Sequence, residues 1–169
     1  AWYRCTASGS AAATLPASCT VDLGVSASSY TPVIADFGQY LRVKVTATND
    51  AGTSSYVSKA TSAVIGQVPS KVADPAIDSA APVVGTAVNA STGTWTAYPA
   101  TIAYSYAWYA CTTAGSGPSA SLPAGCTAIR RATGASYVPT RSVAGQYLRV
   151  MVTARNAAGA TSTFSAATA

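Results

Sequence analysis

Residues 38–43 have the sequence Gly-Gln-Tyr-Leu-Arg-Val, and residues 145–150 repeat it without change. The segments on either side repeat as well, in the same order and at nearly the same separation along the chain. The other matching pairs are residues 1–6 with 107–112, 15–20 with 122–127, and 29–32 with 136–139. Because self-similarity at a fixed period is the signature of repeat architectures, the sequence predicts tandem copies of one structural unit.

The repeated stretch begins a segment with the alternation of a β-strand. In residues 41–47, apolar side chains alternate with Arg, Lys and Thr, and residues 49–52 then supply the Asn and Gly of a tight turn. A strand of an antiparallel sandwich has one apolar and one polar face in this way. Together with the tryptophan of the repeated Ala-Trp-Tyr motif, the expected core residues are Trp2, Leu41, Val43, Val45, Trp108, Leu148, Val150 and Val152.

The two copies, residues 1–66 and 67–169, differ in length. Residues 67–106 precede the Ala-Trp-Tyr of the second copy and have no counterpart in the first. Within them we expect a linker with an edge strand, then a strand over residues 83–90 and another over residues 102–108. The sequence therefore predicts an all-β fold of tandem antiparallel β-sandwiches, the first of which is incomplete and lacks its first strands.

Two explanations of the incomplete first sandwich stay open. Either the chain is a window on a longer array of repeats, or strands of another chain complete the first copy. Without such strands, a half-sandwich exposes an apolar sheet face and an unpaired edge.

Composition excludes several classes of protein. Of the 169 residues, 49% are apolar and 9% are charged, and ten tyrosines and three tryptophans are present, unlike a disordered chain. The net charge of +5 comes from residues 79–169, which contain five arginines and no acid. Because these arginines are scattered, apart from Arg130 and Arg131, we expect a solvated, weakly basic surface and no nucleic-acid partner. No run of 18 apolar residues exists, so we expect no membrane insertion.

Each copy contains one pair of cysteines. Four cysteines permit three pairings, and the equivalence of the two copies favours the pairs within each copy, Cys5 with Cys19 and Cys111 with Cys126. Disulfides imply an oxidising compartment, so we expect an extracellular or cell-surface location. A metal site is not expected, since the pairs are isolated and the chain has no histidine.

The order of these motifs resembles a known superfold. Ala-Trp-Tyr-x-Cys, Ser-Tyr-x-Pro and Gly-Gln-Tyr-Leu-Arg-Val, followed by an Asn-x-x-Gly turn, are similar to the bacterial immunoglobulin-like repeats of large surface and secreted proteins. The resemblance implies immunoglobulin or fibronectin-III-like sandwiches. Asp36-x-Gly38-x-Tyr40 also resembles the immunoglobulin corner, although Val143 replaces the acid in the second copy. One departure is that Arg42 and Arg149 stand where antibody domains have the second intersheet cysteine.

Catalytic groups are scarce. Residues 79–169 contain no Asp, Glu or His, so their many hydroxyl groups have no general base to activate them. We therefore expect no enzyme and no cofactor. Asp74 and Asp78 are too few to hold a calcium ion, which takes six to eight oxygen ligands.

Tyrosines are the candidate contact residues. The rings expected at the surface, opposite the core positions, are Tyr3, Tyr40, Tyr98, Tyr109 and Tyr147. Exposed rings can stack on sugars, or they can cover the sheet and pack against neighbouring repeats. We expect a structural repeat of an extracellular stalk, adhesin or filament, whose partners are neighbouring copies. The alternatives are a module that binds glycans or a host protein, and an accessory domain of a secreted hydrolase.

Overall fold

The computed structural model describes residues 1–115 and 117–169, and its regular structure is all-β apart from two one-turn 3-10 helices, which confirms the predicted class. The chain divides into two compact units, Ala1–Gly66 and Gln67–Ala169. All pairings between named strands are antiparallel in both units.

Unit 1, Ala1–Gly66, contains one four-stranded sheet with the order β2-β1-β3-β4. Its strands are β1 (Trp2–Cys5), β2 (Val21–Asp22), β3 (Tyr40–Asn49) and β4 (Gly52–Val57). A 3-10 helix, Ile34–Asp36, precedes β3. The turn between β3 and β4 follows from its sequence, because the Asn49 side chain accepts a hydrogen bond from the Ala51 amide at 3.0 Å.

Unit 2, Gln67–Ala169, repeats this sheet with the order β12-β11-β8-β9 and adds two strand pairs, β5-β7 and β6-β10. A second 3-10 helix, Arg141–Val143, precedes β11. The strands are β5 (Gln67–Ala73), β6 (Val88–Asn89), β7 (Thr94–Tyr98), β8 (Ala103–Cys111), β9 (Cys126–Ala128), β10 (Ser136–Tyr137), β11 (Tyr147–Asn156) and β12 (Gly159–Phe164).

The expected strand over residues 83–90 is wrong for most of its length, because only Val88–Asn89 pairs. Val83 and Val84 are instead exposed, at 62% and 42%. The Thr86 amide donates to the carbonyl oxygen of Val83 in a turn, and the Gly85 amide donates to that of Pro139, so these apolar residues lie in a loop. A short apolar run gives no periodicity that separates a strand from such a loop.

The core of unit 2 lies between its four-stranded sheet and the added strands. Trp108, Leu148, Val150 and Val152 are almost completely buried in one cluster, which also contains Val88 of β6. Strand β5 packs beside β11 and β12, so the inner face of the sheet is covered. The Asn156 side chain fastens this cover, because it donates hydrogen bonds to the carbonyl oxygens of Gln67 at 2.8 Å and Pro99 at 3.1 Å.

The equivalent face of unit 1 is largely uncovered, and the prediction that Val45 belongs to the core is wrong. Val45 is 62% exposed, whereas Val152, its counterpart 107 residues later, is fully buried. Trp2 and Val43 are half-buried, and Leu41 is buried. The physical reason is that unit 1 has no strands equivalent to β5 and β7, so an apolar side chain on this face meets solvent.

Candidate functional site

Each unit has a disulfide on the outer face of its sheet, which confirms the predicted pairs Cys5–Cys19 and Cys111–Cys126. Cys111 and Cys126 are direct cross-strand partners in β8 and β9. The loop that each bridge closes returns to the sheet through a β-bridge, Ala12 with Val57 in unit 1 and Ser119 with Phe164 in unit 2. The loops are therefore held against the sheet, and they bury the outer face.

A buried arginine holds each loop in place, and the burial of Arg149 contradicts the expectation that the arginines of residues 79–169 are solvated. Arg42 is 2% exposed and donates from Nη1 to the carbonyl oxygens of Ser10 and Ser58, both at 2.7 Å. Arg149 is fully buried and contacts the carbonyl oxygens of Ala114, Gly117 and Ser165 at 2.6–3.0 Å. Burial lowers the pKa of the Arg149 guanidinium. The planar guanidinium suits this role because it carries several fixed donors.

The five predicted contact tyrosines are half-buried and form no exposed aromatic platform. Tyr3 and Tyr40 share the outer face of unit 1 with Arg42 and Cys5, as the strand register requires. Tyr109 and Tyr147 occupy the same places in unit 2, and the ring of Tyr109 meets Phe164 edge-on at 5.2 Å. The disulfide loops fold over this face, which accounts for the partial burial. Tyr98 lies apart from them, in β7.

A buried polar network distinguishes unit 1 from unit 2. The carboxylate of Asp36 is fully buried and accepts hydrogen bonds from Arg4 Nε at 2.6 Å, from the Tyr30 hydroxyl at 2.6 Å and from the Val33 amide at 2.7 Å. Three donors therefore satisfy one carboxylate in the interior. The one-turn helix Ile34–Asp36 and strand β1 bring Asp36 and Arg4 together.

This network determines the ionisation of Asp36. Burial by itself raises the pKa of a carboxyl, but the hydrogen bonds from Tyr30, the Val33 amide and Arg4 outweigh it and lower the pKa of Asp36 below its usual value of 3.8. Burial and the bond to Asp36 likewise raise the pKa of the Tyr30 hydroxyl. Asp36 is therefore an ionised, structural carboxylate at neutral pH.

We expect acid to destabilise unit 1 through this carboxylate. Because the pKa of Asp36 is lower in the folded than in the unfolded state, its contribution is fully present above about pH 5, and it is lost as the pH falls through 3.8 toward the folded-state pKa. Denaturant unfolding of the full chain, followed by NMR signals of each unit, measures the effect. The matched control is R4A/D36V, which gives unit 1 the unit 2 pattern and should remove the acid sensitivity. Equal sensitivity in the control contradicts this role.

Unit 2 replaces the charged pair with small apolar residues. Ala110 stands in the place of Arg4 and Val143 in the place of Asp36, and both are buried. Tyr137 keeps the place of Tyr30 and packs on Trp108 at 5.5 Å, as Tyr30 does on Trp2 at 5.9 Å. Its buried hydroxyl has no hydrogen-bond partner among the residues that the structure describes. A cavity of about 630 Å³ lies here, lined by Ala110, Val143 and Tyr137 among others.

No candidate metal site is found in residues 1–115 and 117–169. No group of three or more His, Cys, Asp and Glu side chains in this part of the chain could hold a metal ion. The two acids that a calcium site would need have other partners: Asp74 pairs with Lys71, and Asp78 accepts two bonds from Asn89, which lower the pKa of Asp78. No helix in this part is long and apolar enough to cross a membrane.

Sequence reasoning missed the two arginines and the cavity. The signal for the arginines was their position inside an otherwise apolar and tyrosine-rich strand, repeated in both copies. The signal for the cavity was the simultaneous exchange of Arg4 for Ala110 and Asp36 for Val143.

Comparison of the chain with models of known protein families, with curated proteins and with solved structures finds no match.

Proposed function

We propose that the chain is a structural segment of an extracellular array of immunoglobulin-like sandwiches, a stiff element of a bacterial surface stalk, adhesin or filament. The observation that carries the proposal is the repetition of one architecture in two units. Each unit has the same sheet, the same disulfide-closed loop and the same buried arginine. Repetition of a structural unit is typical of arrays in which each repeat contacts its neighbours and the repeats together build an extended protein.

The strand order of unit 2 supports the immunoglobulin-like part of the proposal. Strands β12-β11-β8-β9 resemble the G-F-C-C′ sheet of such domains, with the buried Trp108 on the strand equivalent to C. The remaining strands form two further antiparallel pairs, β5-β7 and β6-β10, which would supply the opposing layer of such a domain. The bridge differs from that of antibody domains, since Cys111 and Cys126 join neighbouring strands of one sheet.

The outer face of each sheet supports the rod-like role. A disulfide limits the conformational freedom of the unfolded chain, and closing a loop of this size contributes about 3 kcal/mol in the chain-entropy model. The guanidinium bonds then fix the same loop to the folded sheet. Both devices resist local unfolding outside the cell, where an extended rod meets proteases and shear.

Electron microscopy of the native material tests the proposal. We expect stalks or fibres whose axial repeat matches the length of one sandwich, and we expect reduction of the disulfides to loosen this order. Isolated globular particles with no axial repeat in the native material would overturn the structural role and leave the sandwich fold untouched.

A further inference from the structure

We propose that the cavity of unit 2 beside Ala110 and Val143 binds an acidic saccharide unit. Its carboxylate would lie at Arg130, and its ring hydroxyls would contact the polar side chains of the rim. This site lies in unit 2 alone, and ligand binding there does not depend on the structural role proposed for the array.

The cavity exists because of an exchange between the two copies. In unit 1 the long side chain of Arg4 reaches the buried Asp36 and fills the space between β1 and the one-turn helix. In unit 2, Ala110 and Val143 occupy these positions, and neither side chain reaches so far. The resulting space, about 630 Å³, is in the range of small-ligand sites.

The charge at the rim of the cavity favours an anion. Arg130 lines it and forms no ion pair or hydrogen bond with the residues that the structure describes. Residues 79–169 contain no acid, so neither Arg130 nor the adjacent Arg131 has an acidic side chain near it in sequence. In unit 1 the Leu23 amide donates to the carbonyl oxygen of Trp2, as the Ile129 amide donates to that of Trp108, so the uncharged Gly24 stands in the place of Arg130 and Arg131.

Arg131 adds an independent observation. Its backbone φ is 62°, in the left-handed region, and the equivalent residue of unit 1 is Gly24 with a φ of 66°. Glycine adopts this conformation readily, whereas an L-side chain is disfavoured there. Unit 2 therefore places an arginine, the residue after Arg130, at a backbone position that favours glycine, and backbone strain of this kind clusters at binding sites.

The remaining lining distinguishes a saccharide from a simple anion. The floor consists of Ala110, Val143 and the ring of Tyr137, and it is mostly apolar and buried. The rim carries hydrogen-bonding groups that face solvent: Thr140, Ser142 and Gln146. A pyranose presents an apolar C–H face and a ring of hydroxyls, which matches this floor and rim. An inorganic anion would leave the floor and most of the volume unused.

NMR titration of the full chain tests the proposal, with uronic-acid trisaccharides (galacturonate, glucuronate and mannuronate) as probes. Maltotriose serves as the neutral control and inorganic phosphate as the simple anion. The titrations are made at 0.15 M salt, which screens weak long-range attraction.

R130A should weaken binding by about tenfold or more, because it removes the charge-assisted bond. R155A changes the net charge equally at an exposed site on β11 and should leave binding unchanged.

A second variant tests the origin of the cavity. A110R/V143D should rebuild the network of unit 1, with the Tyr137 hydroxyl donating to the new carboxylate. The new side chains should fill the space and abolish binding.

We expect at least one uronic-acid probe to shift the signals of the cavity residues and to leave unit 1 unshifted. The proposal is overturned if no uronic acid binds, if maltotriose or phosphate produces the same shifts, or if R130A and R155A weaken binding equally.

Discussion

Replacing Arg149 with alanine should lower the free energy of unfolding of unit 2 by about 4 kcal/mol. The guanidinium is fully buried, and it donates to the carbonyl oxygens of Gly117 and Ser165 at 3.0 and 2.7 Å and to that of Ala114 at 2.6 Å. Its removal leaves these acceptors without their donor and opens a space beneath the loop. Such a loss is a large part of the stability of a domain of this size.

Two variants separate the guanidinium geometry from its charge. R149K keeps the charge but not the planar fork, so we expect an intermediate loss. R155A removes a charge from the exposed end of the same strand and should change the free energy by less than about 0.5 kcal/mol. Denaturant unfolding of the full chain under non-reducing conditions, followed by NMR signals of unit 2, measures all three. An R149A effect as small as that of R155A is incompatible with the role assigned to Arg149.

Aspartate at two equivalent positions should strongly destabilise unit 2 and leave the stability of unit 1 nearly unchanged. Val152 is completely buried, so V152D places a carboxyl in an apolar core without a partner and should cost more than about 4 kcal/mol. Val45 is 62% exposed, so V45D should change the stability of unit 1 by about 0.5 kcal/mol or less. The two valines occupy equivalent positions on β3 and β11, but Val45 pairs with Tyr56 of β4, whereas Val152 pairs with both Thr163 of β12 and Tyr106 of β8 and lies under the added strands.

The same unfolding experiment compares these variants, with V45N and V152N as uncharged controls. V152N should also be strongly destabilising, since a buried amide without partners is costly. A large effect of V45D would show that the inner face of unit 1 is covered in solution, contrary to the exposure of Val45.

Most of the strands and both disulfide pairs could be predicted from the sequence repeat. Alternation in residues 41–47 predicted the long strand β3 and its counterpart β11, because a period of two is a local property of the chain. The disulfide pairs followed from the equivalence of the copies. Burial of Val45 could not be predicted in this way, since alternation identifies the side chains that share a face and not what covers that face.

Two other features depend on tertiary contacts. An arginine among tyrosines and valines is typical of a solvated face, and the carbonyl oxygens that hold Arg42 and Arg149 come largely from loops distant in sequence. The cavity results from two substitutions, Arg4 to Ala110 and Asp36 to Val143, that lie far apart in the chain and meet only in the folded unit. Single positions read along the sequence do not show that the two changes are coupled.

The two units share one four-stranded sheet with a disulfide-closed loop and a buried arginine, and they differ in the cover of one face of that sheet. A chimera that places residues 67–106 directly before Ala1 tests this claim most directly. Tyr56 is changed to threonine in both the chimera and its reference, because the equivalent Thr163 is buried under the added strands. The same chimera with V88D, which disrupts the added core, is the control.

The measurement is the denaturant unfolding of unit 1 in the chimera, followed by NMR. If the claim is correct, the free energy of unfolding and its dependence on denaturant both rise, because the added strands bury apolar surface, and the V88D control loses this gain. The Asn49 side-chain amide should become protected, as Asn156 is by the carbonyl oxygens of Gln67 and Pro99. An unchanged denaturant dependence together with an exposed Asn49 amide would contradict the claim.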